Sequence, residues 1–253
     1  YYSIVFLVLF IAPSFADVIP PDETLPETVC VYTDQPITVD GLPDEAAWEK
    51  SPAVSFLNAT DGSSPRLSTE VRLLFNDEML LLAYKCEDDR ITSTLTERDA
   101  NLWSEEAVEL FACPTNDLRY YYEFEVNPLG ALLDLTVRNN FSETSGSSGI
   151  SADYDWNSEG MQWAAHIHRA GEQVTGWTVE MAIPFADMEQ SKPEDGDIWR
   201  VGLFRIDAGG PAPDEYSAWS PTFKKPAAFH HPQYFGFLVF QTESFVEDYW
   251  LLR

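Results

Sequence analysis

The sequence predicts an all-β fold, a single-domain antiparallel β-sandwich of the jelly-roll type. Short runs rich in Val, Leu, Ile, Tyr and Phe recur along the chain, Asn, Asp, Gly and Pro punctuate them, and helical periodicity is scant. Ile37-Thr38-Val39 ends at Asp40-Gly41. The run 71–75 ends at Asn76-Asp77 and 79–86 follows at once, the signature of a hairpin. Further strands are expected at 107–113, 120–126, 131–137, 161–168, 176–183, 199–206 and 234–240. Two short helical turns are expected, one over 44–50 with Asp44 capping and Trp48 buried, the other over 184–188. The Ser/Gly-rich stretch 141–152 reads as a long loop within the domain, because strands continue on both sides.

The ends of the chain have a different character. Residues 1–16 carry an uncharged apolar run from Ile4 to Ala12, then Pro13 and the small-x-small sequence Ser14-Phe15-Ala16. That pattern fits a secretory signal peptide shortened at its start and is too short for a bilayer span. Residues 17–28, with three prolines, read as an extended leader, 29–240 as the sandwich, and 241–253 as a tail. A secreted or extracellular location follows. Two glycosylation sequons, at Asn58 and Asn140, are compatible with it.

The formal charge is −27. Such a surface repels phosphate backbones and anionic lipid, so neither nucleic acid nor membrane is an expected partner. It tolerates neutral ligands and divalent cations. Three cysteines, none in a C-x-x-C pair, fit one disulfide plus one thiol. Cys86 with Cys113 is the favoured pair, closing 26 intervening residues and leaving Cys30 free; Cys30 with Cys86 competes.

Strand parity sorts the side chains of two runs by face. In 107–113, Val108, Leu110 and Ala112 share the core face, with Glu109 and Phe111 opposite. In 121–127, Tyr122, Phe124 and Val126 share one face, and Glu123, Glu125 and Asn127 the other. If the two strands are neighbours, their polar faces make a carboxylate-and-amide patch of the kind that exchanges hydrogen bonds with sugar hydroxyls. Trp103 and Trp219 lie in polar loops, where a flat, rigid indole can stack on a pyranose ring. Trp48, Trp163, Trp177 and Trp199 lie in or beside regular elements and are assigned to packing. The chain has no G-x-S-x-G elbow, H-E-x-x-H helix or phosphate loop, so an enzyme is not expected. His166 and His168 alternate on one strand, a spacing that would also suit a metal or haem.

Taken in order, these motifs resemble the family 9 carbohydrate-binding modules and their wider group of secreted family-9-like domains. The similarity rests on Asp40-Gly41, Asp44-Glu45 and Trp48, then Trp103, Val108-Glu109-Leu110-Phe111, and Phe124-Glu125-Val126-Asn127-Pro128. It continues through Gly176-Trp177-Thr178-Val179-Glu180, Ile183-Pro184-Phe185, Trp219-Ser220-Pro221 and Phe235-Gly236. The resemblance implies a jelly roll that clamps a polysaccharide chain end or free sugar between two tryptophans, matched here by Trp103 and Trp219. Glu109, Glu125 and Asn127 match hydroxyl-bonding positions, although Glu125 stands where a basic side chain is expected. Structural calcium is also implied, with Asp40, Asp44, Glu45, Asp77 and Glu78 as candidate ligands, and no organic cofactor is expected. Two other uses of the scaffold are a b-type haem electron-transfer domain, drawing axial ligands from Met79, Met161, Met181 and the histidines, and a surface-assembly protein.

Overall fold

The computed structural model describes residues 25–140 and 149–242. The signal segment, most of the leader, residues 141–148 of the Ser/Gly stretch and residues 243–253 of the tail lie outside the described residues. Fourteen strands form: β1 Glu27–Tyr32, β2 Val54–Ser55, β3 Leu57–Asn58, β4 Thr69–Phe75, β5 Met79–Glu87, β6 Ala107–Cys113 and β7 Tyr120–Val126, then β8 Leu132–Asn139, β9 Ile150–Asp153, β10 Gln162–Ala170, β11 Gln173–Pro184, β12 Ile198–Asp207, β13 Glu215–Ala218 and β14 Gly236–Gln241. Eleven of them join in one hydrogen-bonded path, β10-β11-β5-β4-β1-β14-β12-β6-β7-β8-β9, which curls into a sandwich, while β2 pairs with β4, β13 with β12, and β3 with β13.

The main core lies between the two halves of this path. Leu73, Leu82, Tyr84, Trp177 and Val179 from one half pack in the same cluster as Val108, Leu110, Phe124, Val201 and Leu203 from the other. Burying each such side chain contributes about 1.5–3 kcal/mol, so this layer is the principal source of stability. The expected β4–β5 hairpin forms. Asn76 closes it, its Oδ1 accepting the N–H groups of Glu78 and Met79 at 2.9 and 2.8 Å.

Strand pairing is antiparallel except at β1, which runs parallel to both β4 and β14. Long connections bring β1 between strands distant in sequence, and such connections permit parallel pairing where a hairpin would not. Other expectations change locally. Residues 37–39 are in no strand; the Thr38 N–H donates instead to Glu45 Oε1 at 2.7 Å. The first helical turn is a 3-10 turn, Ala46–Lys50, whose preceding residue is Glu45 rather than Asp44 and which lacks a side-chain cap. The far end of the expected 141–152 loop is strand β9, paired with β8 from Asn139↔Ile150.

The disulfide expectation is corrected. All three cysteines are buried free thiols. Cys86 points into the main core while Cys113 faces a second cluster on the other side of the sheet, so their side chains diverge.

Candidate functional site

Parity holds on β6 and β7. Val108, Leu110, Ala112, Tyr122, Phe124 and Val126 face the main core. The opposite face is not the open polar surface that the sequence suggested. A second apolar cluster covers much of it, joining Phe111, Tyr121, Leu133, Leu135 and Phe204 with Leu102, Phe229 and Phe235 from the overlying segments.

Three carboxylates sit within this covered face. Glu109 and Glu125 are direct cross-strand partners, and Glu123 lies two residues along β7. One oxygen from each falls within 4.8 Å of the others. Their exposures are 2%, 4% and 0% for Glu109, Glu123 and Glu125, so no solvent shell separates the charges. Like charges directly opposed on a sheet disfavour pairing. Burial pushes the carboxyl of Glu109 well above the usual range, with repulsion from Glu123 adding to it. Burial likewise raises Glu123 to about 7. Glu125 is raised well above the ordinary value, first by burial and then by Glu109 and Glu123. The backbone N–H of Trp103 approaches Glu125 and opposes that rise in part, without completing a hydrogen bond.

Aromatic groups frame the carboxylates. Trp103, on the 3-10 turn Leu102–Ser104, is 50% exposed, and Tyr154 just beyond β9 is 47% exposed. The hydroxyl of Tyr154 is shifted upward, by burial and then by the charges of Glu123 and Glu125. Tyr216 on β13 is shifted the same way, by burial, Asp214 and Glu109. His230 shares a 2.8 Å hydrogen bond with Tyr121 through Nδ1 and places Nε2 3.9 Å from Glu123. Its burial, with His231 adding, lowers it to about 4, so the imidazole is neutral at pH 7.

The expected site residues therefore divide. Trp103, Glu109 and Glu125 come together. Trp219 does not offer an open ring face: it is 7% exposed and packs in the main core, its ring closing over Gly236. Its loop is polar in composition, but its backbone N–H donates to Leu203 O at 3.0 Å beside β12, and the indole packs into the main core. Asn127 is 1% exposed and engaged by the backbone on every side. Its Oδ1 accepts from Leu129 and Ala131 and its Nδ2 donates to Leu95 O, so it clamps the β7–β8 turn. Glu123 is the carboxylate that the candidate set lacked; parity already put it beside Glu125. Nothing local marked Tyr154, Tyr216 or His230, which reach the face from separate loops and strands.

The five candidate calcium ligands do not converge. Asp40 Oδ1 accepts from the Leu42 N–H, Glu45 serves Thr38, and Asp77 pairs with Lys192 at 2.8 Å and Tyr32 at 3.1 Å. Asp44 and Glu78 are exposed. Among the described residues, a second acidic group, Asp88, Glu106 and Asp207, is already served by cations: Arg205 pairs with Asp88 at 2.7 Å and Arg66 with Asp207. Met161 and Met181 are core residues, and His168 is bonded to Thr178 at 2.9 Å.

The molecule is a β-sandwich in which two half-exposed aromatic groups, Trp103 and Tyr154, stand near three buried carboxylates. The chain belongs to carbohydrate-binding family 9, whose model matches residues 44–240. Among solved structures it is similar to a protein from Bacteroides uniformis proposed to bind carbohydrate, with 18% identity and a TM-score of 0.65, covering 86% of this chain and 100% of that one. A family 9 module from Caldicellulosiruptor kristjanssonii in complex with cellotriose aligns at 15% identity and a TM-score of 0.59, over 86% of this chain and 94% of that one. A further structure from that organism, in complex with glucose, gives 14% identity and a TM-score of 0.58, with 86% and 96% covered. These likenesses support the sandwich fold. No curated protein matches the chain. Among the described residues, no helix is long and apolar enough to cross a membrane.

Proposed function

We propose that this module binds a neutral saccharide, without catalysing its breakdown, on the face framed by Trp103, Tyr154 and Tyr216, and that it does so outside the cytoplasm. The observation that carries this reading is the half-exposed indole of Trp103, held on a short turn directly beside the buried carboxylate of Glu125. Keeping an indole in water forgoes the free energy of burial, and a ligand that stacks on the ring recovers it. In this reading the clamp expected from two tryptophans is formed by Trp103 with Tyr154, since Trp219 is enclosed. Family membership and the glucose and cellotriose held by two family 9 structures favour a hexose or glucan chain end.

Calorimetric titration with glucose, cellotriose and xylotriose tests the proposal, with product analysis of the same mixtures. Saturable binding without turnover, weakened by Trp103→Ala by roughly 1–3 kcal/mol, is expected for loss of one aromatic anchor. Binding that Trp103→Ala leaves unchanged, or release of shorter sugars, overturns it.

A further inference from the structure

The three carboxylates of β6 and β7 are the strongest chemical anomaly in the molecule. Four of their oxygens, Glu109 Oε1, Glu123 Oε2 and both oxygens of Glu125, are buried and accept no hydrogen bond from any donor group, and the Glu123 and Glu125 carboxyls lie within hydrogen-bond reach of each other. Buried polar atoms are nearly always satisfied, and a buried carboxylate is tolerated when it is paired, protonated or bound to a metal. The paired solution is visible elsewhere in this protein, where Arg205 and Arg66 serve the group of Asp88, Glu106 and Asp207. No Lys or Arg forms an ion pair with Glu109, Glu123 or Glu125 among the described residues. The basic side chain paired with this group, His230, places its Nε2 3.9 Å from Glu123, beyond hydrogen-bond reach.

We propose that Glu109, Glu123 and Glu125 bind a hard divalent cation of calcium size. All the donors are carboxylate oxygens, the ligand type of calcium, magnesium and manganese rather than of the softer metals. Calcium oxygens lie about 2.3–2.6 Å from the ion, so one ion can reach donors that are mutually within 4.8 Å. Three carboxylates supply up to six oxygens and a formal charge of −3, against +2 on the ion. Bidentate coordination would satisfy the orphaned oxygens of Glu125 without disturbing either strand. The position differs from the five acids expected from sequence, of which Glu45 alone keeps a buried oxygen without a partner and no three of which converge. It also lies under the aromatic frame, where the carboxylates are too enclosed to meet a sugar ring directly. The ion would link β6 to β7 beneath Trp103.

The inference stands apart from the saccharide reading and is tested without sugar. Metal-stripped full chain is titrated with Ca²⁺ at pH 7.5 by calorimetry, and with Tb³⁺ by luminescence excited through the indole band. Wild type, Glu123→Gln, Glu125→Gln and the surface control Asp77→Asn are compared, with far-UV circular dichroism reporting the fold of each. The expected result is saturable binding, with one ion lost or weakened at least tenfold in the Glu123 and Glu125 variants and unchanged in the control. Absence of saturable binding by folded wild type overturns the proposal and points to protons shared among the carboxyls. Calcium binding that is equal in wild type and Glu123→Gln overturns it as well, by placing the ion elsewhere. Either outcome leaves sugar affinity, measured separately, free to succeed or fail.

Discussion

Trp48 donates its indole N–H to Glu180 at 3.2 Å on the face of β11 turned away from the main core, and the other oxygen of that carboxylate accepts the backbone N–H groups of Asp40 and Gly41 at 3.1 and 3.0 Å. The opening segment of the domain is thus fastened to β11 by one side chain. Gly41 is required there twice over: its φ is +87°, and a Cβ would lie 2.9 Å from the Ala165 carbonyl carbon. Two segments separated by more than a hundred residues in sequence therefore form a single anchor.

Glu180→Gln should weaken that anchor, because the amide keeps one acceptor oxygen and sets an NH2 donor against either the Trp48 indole N–H or the backbone N–H groups. A loss of about 1–3 kcal/mol is expected for leaving that buried donor unpaired. Urea unfolding measures it. Equal midpoints for variant and wild type would show that the opening segment is held by packing alone.

The two loop tryptophans should separate in their effects. Trp219 is enclosed by the main core, and removing it leaves a cavity beside Gly236. Trp219→Ala should cost about 3–5 kcal/mol, or fail to fold, with Trp219→Phe intermediate. Trp103→Ala removes a half-exposed ring and should change stability by no more than about 0.5 kcal/mol. Comparable destabilisation by the two alanine variants would contradict the contrast in burial.

Stability should fall as pH rises through neutrality, in part because of Glu106. Burial raises this carboxyl to about 7; its hydrogen bonds from Thr92 oppose the rise, and Asp88 and Asp207 add to it. Ser93 also contacts it, and Arg205 and Arg66 pair with those two aspartates. The folded state then binds a proton that the unfolded chain, with a Glu value of about 4.3, has already released. The contribution is present below the unfolded value and is lost progressively as pH rises from there through 7, amounting to at most about 4 kcal/mol. Glu106→Gln keeps an acceptor for Thr92 and removes the titration. Its stability relative to wild type should increase between pH 5 and pH 8 in chelator-treated protein; a parallel pH profile would refute the assignment.

Parity explains both what could be read from the sequence and what could not. A period of two put Glu109 and Glu125 on one face, opposite Val108 and Phe124, and the adjacency of β6 and β7 turned that into a cluster. The same rule carries no information on what lies above a face. Phe229 and Leu102 cover this one from distant segments, so the polar patch became a buried one. Trp219 failed for a related reason: local composition reports the polarity of neighbours, whereas the ring packs into the main core against Gly236. The parallel setting of β1 depends on partners at both ends of the chain, beyond the range of any local pattern.

The cysteines offer the plainest test of topology. Cys30 on β1 and Cys86 on β5 both face the main core, but β4 lies between their strands. Two strand spacings amount to about 9–10 Å. A disulfide requires Cα atoms within about 7 Å, which excludes the Cys30–Cys86 pair without movement of the sheet. Cys86 and Cys113 are separated by the sheet itself, since they belong to opposite faces. Burial also suppresses reactivity, raising Cys86 to about 11 and Cys113 to about 12, and pushing Cys30 well above its ordinary value. A thiol reagent applied to native protein at pH 8 should therefore react slowly. In denaturant without reductant it should titrate all three thiols, and the thermal midpoint should not respond to reductant. Recovery of a single thiol in denaturant would mean that a disulfide forms and that two of these strands lie closer than this topology allows.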